Sequence, residues 1–368
     1  MKMYSFAFPS RGGRQPVFNA LRSLAQGGIA SHRVNALWSR NAPVYPVRKY
    51  LRSPDLKPRI WVISNGVIQS LTMKKRTKQN KPLIGFVGQG YVGKNYADDF
   101  EARGFSVVRY SLDEPYIANK DLIQDCDVVF IAVPTPSSPK GFDASIVDGA
   151  LSLVGKGKVA VIKSTVVPGT TRKLQARHSG IVVLFCPEFL SVATAKHDVE
   201  NPFVNVIGTP SKSTSHKKAA EFVLAILKKA PTWVLATSEE AELVKYAHNI
   251  SGYMQILTFN LVYDLAKHYR ADWGPIQRAI EGDPLICNRY GNPVHKVGRG
   301  AGGFCFIKDM AAFARHYQAV VREPAGSALL KAAQEKNIAL LTESRKDLEL
   351  LAGVYGAAAV RRGKKARR

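Results

Sequence analysis

Acidic residues are almost missing from the first 81 positions, where sixteen Lys and Arg stand against a single acid, Asp55. A second deficit closes the chain: the last eight residues, "RRGKKARR", hold six basic groups and no acid. Between them the segment 82–360 carries only +4 of the formal charge of +25. A polyanion would therefore meet the ends. Nucleic acid is not expected as a partner, except non-specifically through those basic ends.

Regular periodicity is also missing from residues 1–80, which show no sustained spacing of 2 or 3.6. No fold is assigned there, and the stretch is expected to be a basic, disordered extension, with 357–368 as a basic tail. Its Arg- and Ser-containing, acid-poor start resembles an organelle transit peptide. The reading preferred is a natural start at Met73, "MKKRTKQNKPLIGFVGQGYVG", and a cytoplasmic protein.

Cysteine is scarce. Cys126, Cys186, Cys287 and Cys305 form no CxxC pair and have no His at ligand spacing, so neither structural zinc nor a disulfide framework is expected, and no metal site. Long apolar runs are absent as well. The densest, "DVVFIAV" and "VAVIKSTVV", fall far short of the roughly 20 residues a membrane helix needs, which points to a soluble chain without a membrane partner.

What is present from Lys81 onward is alternation. "PLIGFVG", "FSVVRYS", "DVVFIAV", "KVAVIKST" and "IVVLF" are short β-branched runs separated by crossover-length segments, followed by "VNVIGT" and "TWVLAT". Strands apolar on both faces belong to a parallel sheet covered by helices, so residues 81–237 read as a Rossmann-type, doubly wound α/β domain. After Thr237 the strands stop. "SEEAELVKYAHNISGYMQILTFNLVYDLAKHY" runs without proline from a Ser N-cap, and predicts a long helix over 238–268, the spine of an all-helical domain over 238–356 and a homodimer interface. More helix is expected from Met310 to about Tyr355.

Gly88, Gly90 and Gly93 stand in GxGxxG spacing after a strand and at the opening of a helix, which predicts a dinucleotide turn. The acid that usually ends the second strand is displaced. Ser111 closes the run, with Arg109 two residues before and Asp113 two after, so NAD is expected while NADP stays open. The segment "GRGAGGFCFIKD" sets Cys305 among glycines, with Lys308 and Asp309 behind it. Taken alone it admits a reactive thiol or a small buried side chain equally.

In chain order, "GQGYVG", "VPTP", "KSTVVPGTT", "CPEFLS", "NPFVNVIG", "EAELVKYAHN" and "GRGAGGFCFIKD" resemble the UDP-glucose/GDP-mannose dehydrogenase family. Its members oxidise the sugar alcohol of a nucleotide sugar to a uronic acid with NAD. The resemblance implies a UDP-sugar substrate, UDP-glucose by default, and Cys305 as the covalent nucleophile. Lys245 and Asn249 would stabilise the developing oxyanion, an assignment their i, i+4 placement on one helix face supports. Thr165 and Asp309 would position water, and Glu188 would act in proton transfer. Cofactor contacts are expected from Gly88, Gly90, Tyr91, Val92, Gly93, Ser111, Pro134, Thr135, Thr165 and Lys308. Substrate contacts are expected from Glu188, Phe189, Leu190, Lys245, Asn249, Gly302 and Arg289.

The chain departs from the family in three places. Val192 and Ala193 follow "PEFLS" where members often carry Glu-Gly, and Leu285 follows Asp283-Pro284 where they carry an arginine, a role Arg289 could take. A second Rossmann-like domain that closes over the nucleotide is also expected to be lacking, making this a short form. Two alternatives accompany the reading. One is a single-step dehydrogenase of the β-hydroxyacid type, which needs no thiol. The other is a catalytically silent dinucleotide-binding or dimerisation module.

Overall fold

The computed structural model describes residues 60–64, 67–71, 81–296 and 298–365. Most of the proposed extension and the end of the basic tail lie outside them. Within the extension, where no element was expected, β1 (Ile60–Ser64) and β2 (Val67–Leu71) pair antiparallel with Ile60 opposite Leu71. Asn65-Gly66 between two β-branched runs is the sequence signal for such a hairpin. It belongs to a unit, Met1–Gln79, distinct from Asn80–Arg368.

The second unit opens with β3 (Ile84–Val87), α1 (Tyr91–Ala102), β4 (Val107–Tyr110) and β5 (Val128–Ile131). A ribbon of β6 (Ser137–Ser138) and β7 (Gly141–Phe142) leads to α2 (Ser145–Leu151), β8 (Val159–Ile162), α3 (Thr170–Arg177) and β9 (Val182–Phe185). Then come α4 (Ala195–Glu200), β10 (Val204–Thr209), α5 (Thr214–Ile226) and β11 (Thr232–Thr237). The strands form one sheet in the order β11-β10-β9-β8-β5-β3-β4. Neighbours from β4 to β9 run parallel. The purely parallel expectation fails at one junction, since β10 meets β9 antiparallel through Gly208 and Phe185 before pairing parallel with β11.

The period-2 alternation of the strands builds two cores. Ile84, Phe86, Val128 and Phe130 point to one face, against Ala97 and Phe100 of α1 and Ala220 and Val223 of α5. Val129, Ile131, Ala160 and Ile162 point to the other, against Val147 and Leu151 of α2 and Leu174 of α3. Phe86 stacks on Phe130 at 5.0 Å and meets Phe100 edge-on at 5.6 Å. Each such ring contributes about 2–3 kcal/mol by leaving water, so the apolar runs determine the sheet.

The helical part follows: α6 (Ser238–His268), α7 (Trp273–Gly282), the bridge of β12 (Val294–His295) and β13 (Gly298–Arg299), α8 (Gly303–Val320), α9 (Pro324–Glu343), α10 (Leu348–Tyr355) and α11 (Ala357–Lys365). The cap of α6 is Thr237 rather than Ser238. Thr237 Oγ1 accepts from Glu240 N at 3.4 Å, and Glu240 Oε2 accepts from Thr237 N at 2.8 Å. The last strand thus passes into the spine without a loop. The helix expected from Met310 begins instead at Gly303, which puts Cys305 in the first turn of α8 and Asp309 inside it.

One buried face of α6 is polar. Glu242, Lys245 and Asn249 share it with Tyr246 and Tyr253. Glu242, 0% exposed, accepts from Gly169 N at 2.6 Å and from Thr171 N and Oγ1 at 2.9 and 2.6 Å, binding the spine to the start of α3. Burial outweighs those donors and pushes its carboxyl from 4.5 up to about 7. A carboxyl raised on folding contributes stability that is whole below pH 4.5 and is lost as pH rises through 7, about 3 kcal/mol in all. Denaturant titrations from pH 4.5 to 7 should show this fall in the parent protein, and Glu242→Gln should flatten it; an unchanged slope would contradict the assignment.

Candidate active site

The glycine turn joins β3 to α1. Gly88 has φ +93°, and a Cβ there would lie 2.3 Å from Ala132 O; at Gly93 it would lie 1.9 Å from Gly88 O. Both positions are closed to any side chain. Gly90 faces open space, with nothing within 4 Å of an added Cβ, and caps α1 without a side-chain hydrogen bond. The first turn of α1 holds no acid, so its N–H groups are free to receive an anion such as a pyrophosphate. Two glycines needed for packing and one facing space fit a bound dinucleotide.

At the end of β4 the hydroxyl of Ser111 donates to Asp113 O at 2.9 Å and accepts from Asp113 N at 3.3 Å. Arg109 does not serve a 2′-phosphate. It is buried, and its guanidinium donates to both oxygens of Glu101 at 2.9 and 2.7 Å and to Asp98 at 2.6 Å. Two carboxylates neutralise the only cation the β4 sequence offered for NADP, which leaves NAD as the better fit.

The loops after β5, β8 and β9 converge on α6 and α8. Thr135, buried after β5, donates to Thr165 O at 2.8 Å and lies 3.4 Å from Lys308 Nζ. Pro134 beside it is exposed, and Val92 lies in the first turn of α1. Lys308 Nζ donates to Asp309 Oδ1 at 2.5 Å, while Asn249 Nδ2 donates to Asp309 Oδ2 at 2.6 Å. After β9, Lys245 Nζ donates to the Glu188 carbonyl at 2.7 Å and to its carboxylate at 3.0 Å. The other Glu188 oxygen accepts from Leu190 N at 2.7 Å. Lys245 and Glu188 are 4% and 5% exposed, so removing either would strand a buried charge at a cost of about 3–5 kcal/mol.

Cys305 stands beside this network. Its Sγ is 3.6 Å from Tyr91 Oη, the first residue of α1, so the thiol of the helical part meets the dinucleotide turn. Burial, with Asp309 close by, holds the thiol above its ordinary range; the Tyr91 contact and the cations of Lys245 and Lys308 oppose this. Gly302 caps the Cys305 helix. Phe189 lies 5.6 Å from Lys245 Nζ. Arg289 is exposed on the turn Asn288–Tyr290, where it acts electrostatically on His248 and Asp198 rather than bonding to the cysteine loop.

Sequence reasoning missed two clusters here. His248 packs edge-on to Phe189 at 5.1 Å and near Phe203 at 6.4 Å. Burial, Lys245 and Arg289 depress its ring to about 4, so it is neutral at pH 7. Behind the loops, buried Lys163 Nζ lies 3.4 Å from Cys186 Sγ and 4.1 Å from the Tyr96 ring centre. No residue spacing announced either cluster, because each forms only when separate loops fold together. Among the described residues no group of three or more His, Cys, Asp or Glu could hold a metal ion, and no helix is long and apolar enough to cross a membrane.

A Rossmann-type sheet whose glycine turn is met by a thiol from a helical second part defines a dinucleotide-dependent oxidoreductase fold. The family models agree: the NAD binding domain of the UDP-glucose/GDP-mannose dehydrogenase family matches residues 117–227, and its central domain matches 239–339. The chain belongs to that family. It is 28% identical over 304 residues to UDP-glucose 6-dehydrogenase AglM of Haloferax volcanii, covering 69% of each protein. It is 31% identical over 275 residues to UDP-glucose 6-dehydrogenase TuaD of Bacillus subtilis, covering 62% of this chain and 58% of that one. A solved UDP-glucose dehydrogenase from Pyrobaculum islandicum superposes with a TM-score of 0.61 at 27% identity, over 74% of this chain and 73% of that one. The chain spans about half the length of several curated relatives, 58% of TuaD and 48% of a UDP-glucose 6-dehydrogenase of Rhizobium meliloti.

The raised Cys305 thiol predicts that its alkylation by iodoacetamide, followed by peptide mass, should be slow at pH 7 and reach half its maximum above the ordinary thiol value of 9.0. Asp309→Asn, which removes the carboxylate charge that raises the thiol, should move that midpoint down. A midpoint near neutrality in the parent protein would show that the thiol's surroundings differ from those described.

Proposed function

We propose that the chain is an NAD-dependent nucleotide-sugar dehydrogenase that oxidises a UDP-sugar, by default UDP-glucose, in two steps to the uronate through Cys305. The observation that carries this reading is the 3.6 Å approach of Cys305 Sγ to Tyr91 at the glycine turn. It sets a nucleophile at the mouth of the dinucleotide site, with two lysines nearby. Residues 81–237 are taken as the cofactor domain and 238–356 as the domain that brings the thiol.

When bound, NAD would accept a hydride from the sugar carbon in each of two oxidations. Gly88, Gly90, Tyr91, Val92 and Gly93 would hold its pyrophosphate, Ser111 its ribose, and Pro134, Thr135, Thr165 and Lys308 its nicotinamide half. Glu188, Phe189, Leu190, Gly302 and Arg289 would contact the substrate. The thiol of Cys305 adds to the aldehyde carbon: the S–C bond forms, the C=O π bond opens, and the thiol proton passes to the carbonyl oxygen, whose developing charge Lys245 and Asn249 stabilise. The sulfur stays bonded through the second oxidation, which leaves a thioester. Water positioned by Thr165 and Asp309 then adds to the thioester carbon, the C–S bond breaks, and Glu188 carries the proton lost by water to the departing sulfur, restoring the thiol.

A homodimer along α6 is part of the proposal. Leu243, Val244, Leu261, Val262 and Leu265 are exposed on the spine, beside exposed Val234 and Leu235 of β11, and an apolar strip of that length calls for a cover. The reading places the protein in the cytoplasm.

Purified protein mixed with NAD and a panel of UDP- and GDP-sugars should reduce two NAD per sugar consumed for at least one UDP-sugar. Cys305→Ser should lose that turnover by about three orders of magnitude. One NAD per substrate, unaffected by Cys305→Ser, would favour a single-step dehydrogenase. No reduction with any sugar would favour a silent dinucleotide-binding module.

A further inference from the structure

The cysteine loop is held by a segment outside the network that surrounds the thiol. From Gly298 to Gly303 a run of backbone groups is gripped by Asn337, within α9, and by Ser344, Lys346 and Asp347 in the turn leading to α10. Arg299 N donates to Ser344 Oγ at 2.8 Å. Lys346 Nζ donates to Gly298 O at 3.4 Å and to Gly300 O at 3.0 Å. Asn337, 2% exposed, accepts from Ala301 N at 2.7 Å and donates to Ala301 O at 3.0 Å. Asp347 Oδ2 accepts from Gly303 N at 2.7 Å, at the N-terminus of the helix that carries Cys305.

The fit excludes a side chain at Gly298, which faces the short Ser344, and sets the ends of Asp347 and Lys346 tightly against Gly302. A Cβ on Gly298 would lie 2.3 Å from Ser344 Cβ, and one on Gly302 would lie 2.2 Å from Asp347 Oδ2 and 2.7 Å from Lys346 Cε. The turn itself is bent to reach: Arg345 and Asp347 have φ of 54° and 53°, a left-handed conformation that non-glycine residues seldom adopt. The family's central domain match ends at residue 339, so Ser344, Lys346 and Asp347 lie beyond it.

We infer that Asn337, Ser344, Lys346 and Asp347 are positioning residues that clamp the backbone of residues 298–303 and so hold the Cys305 thiol against the dinucleotide turn. Their bonds go to the backbone of the loop, and they act on the thiol through it. The inference rests on Cys305 being the reacting group. A loop with four glycines in six residues has many backbone states to lose, and six hydrogen bonds, two from Asn337 of α9 and four from the turn that follows it, remove that freedom before substrate arrives.

Iodoacetamide alkylation tests the clamp by the rate at Cys305 relative to exposed Cys287 in the same molecule. Asp347→Ala should raise that ratio about tenfold or more, the factor expected when a hydrogen bond to a charged group no longer opposes local opening. Asp347→Asn, which keeps an acceptor for Gly303 N, should restore most of the parental ratio. NAD affinity, read by fluorescence titration, should be the same in all three. Should Asp347→Ala fail to fold, Lys346→Met provides the same comparison. A ratio unmoved in the folded variants, or moved equally by Asp347→Asn, would overturn the clamp. The readout needs no turnover: if no sugar is oxidised, the ratio still decides the clamp, and if oxidation is normal with the ratio unmoved, the clamp alone falls.

Discussion

The buried contact between Lys245 and Glu188 is the constraint on which the arrangement of the site depends. One partner comes from the long spine and the other from the loop after β9, and both are almost wholly withdrawn from water. Two charges so placed tolerate little displacement, because separation would leave each unsolvated. The pair therefore acts as a geometric pin. A second buried set, Lys308 with Asp309 and Asn249, pins α8 to α6 and reaches Thr135 and through it Thr165. Loops from three strands and two helices are thus registered against one another, and Cys305 takes its place by virtue of that registration.

The same contacts define what must change for chemistry. Lys245 and Asn249, the groups proposed for the oxyanion, are each bonded to a carboxylate. A developing negative charge on substrate would compete with Glu188 and Asp309 for those donors, exchanging one acceptor for another without exposing them to water. The thiol is held above its usual range by burial and Asp309, which lowers the share of reactive thiolate at neutral pH.

How much of this was legible in the sequence depends on whether a feature is local. The seven strands of the main sheet follow from β-branched runs whose alternation serves both faces, and the spine follows from a long proline-free helical period. Gly88 and Gly93 could be read from their GxGxxG spacing; Gly93 answers the carbonyl of Gly88 five residues before it, whereas the demand on Gly88 comes from Ala132 in the loop after β5. The antiparallel entry of β10 was not legible, since a one-residue bridge leaves no periodic trace. Arg109 looked available to a phosphate because Glu101 and Asp98 lie on the neighbouring helix, and only packing brings them to it. The start of α8 was set too late for a similar reason. Glycines were read as loop, whereas Gly302 and Gly303 open a helix held by Asp347, 44 residues further on.

The most direct test of the central claim is to look for the covalent intermediate. Enzyme mixed with NAD and UDP-glucose, quenched in acid within one turnover and digested, should yield a Cys305 peptide heavier by the bound uronyl nucleotide, with Cys126, Cys186 and Cys287 unmodified. Full oxidation of the sugar with the Cys305 peptide unmodified at every quench time would contradict the account.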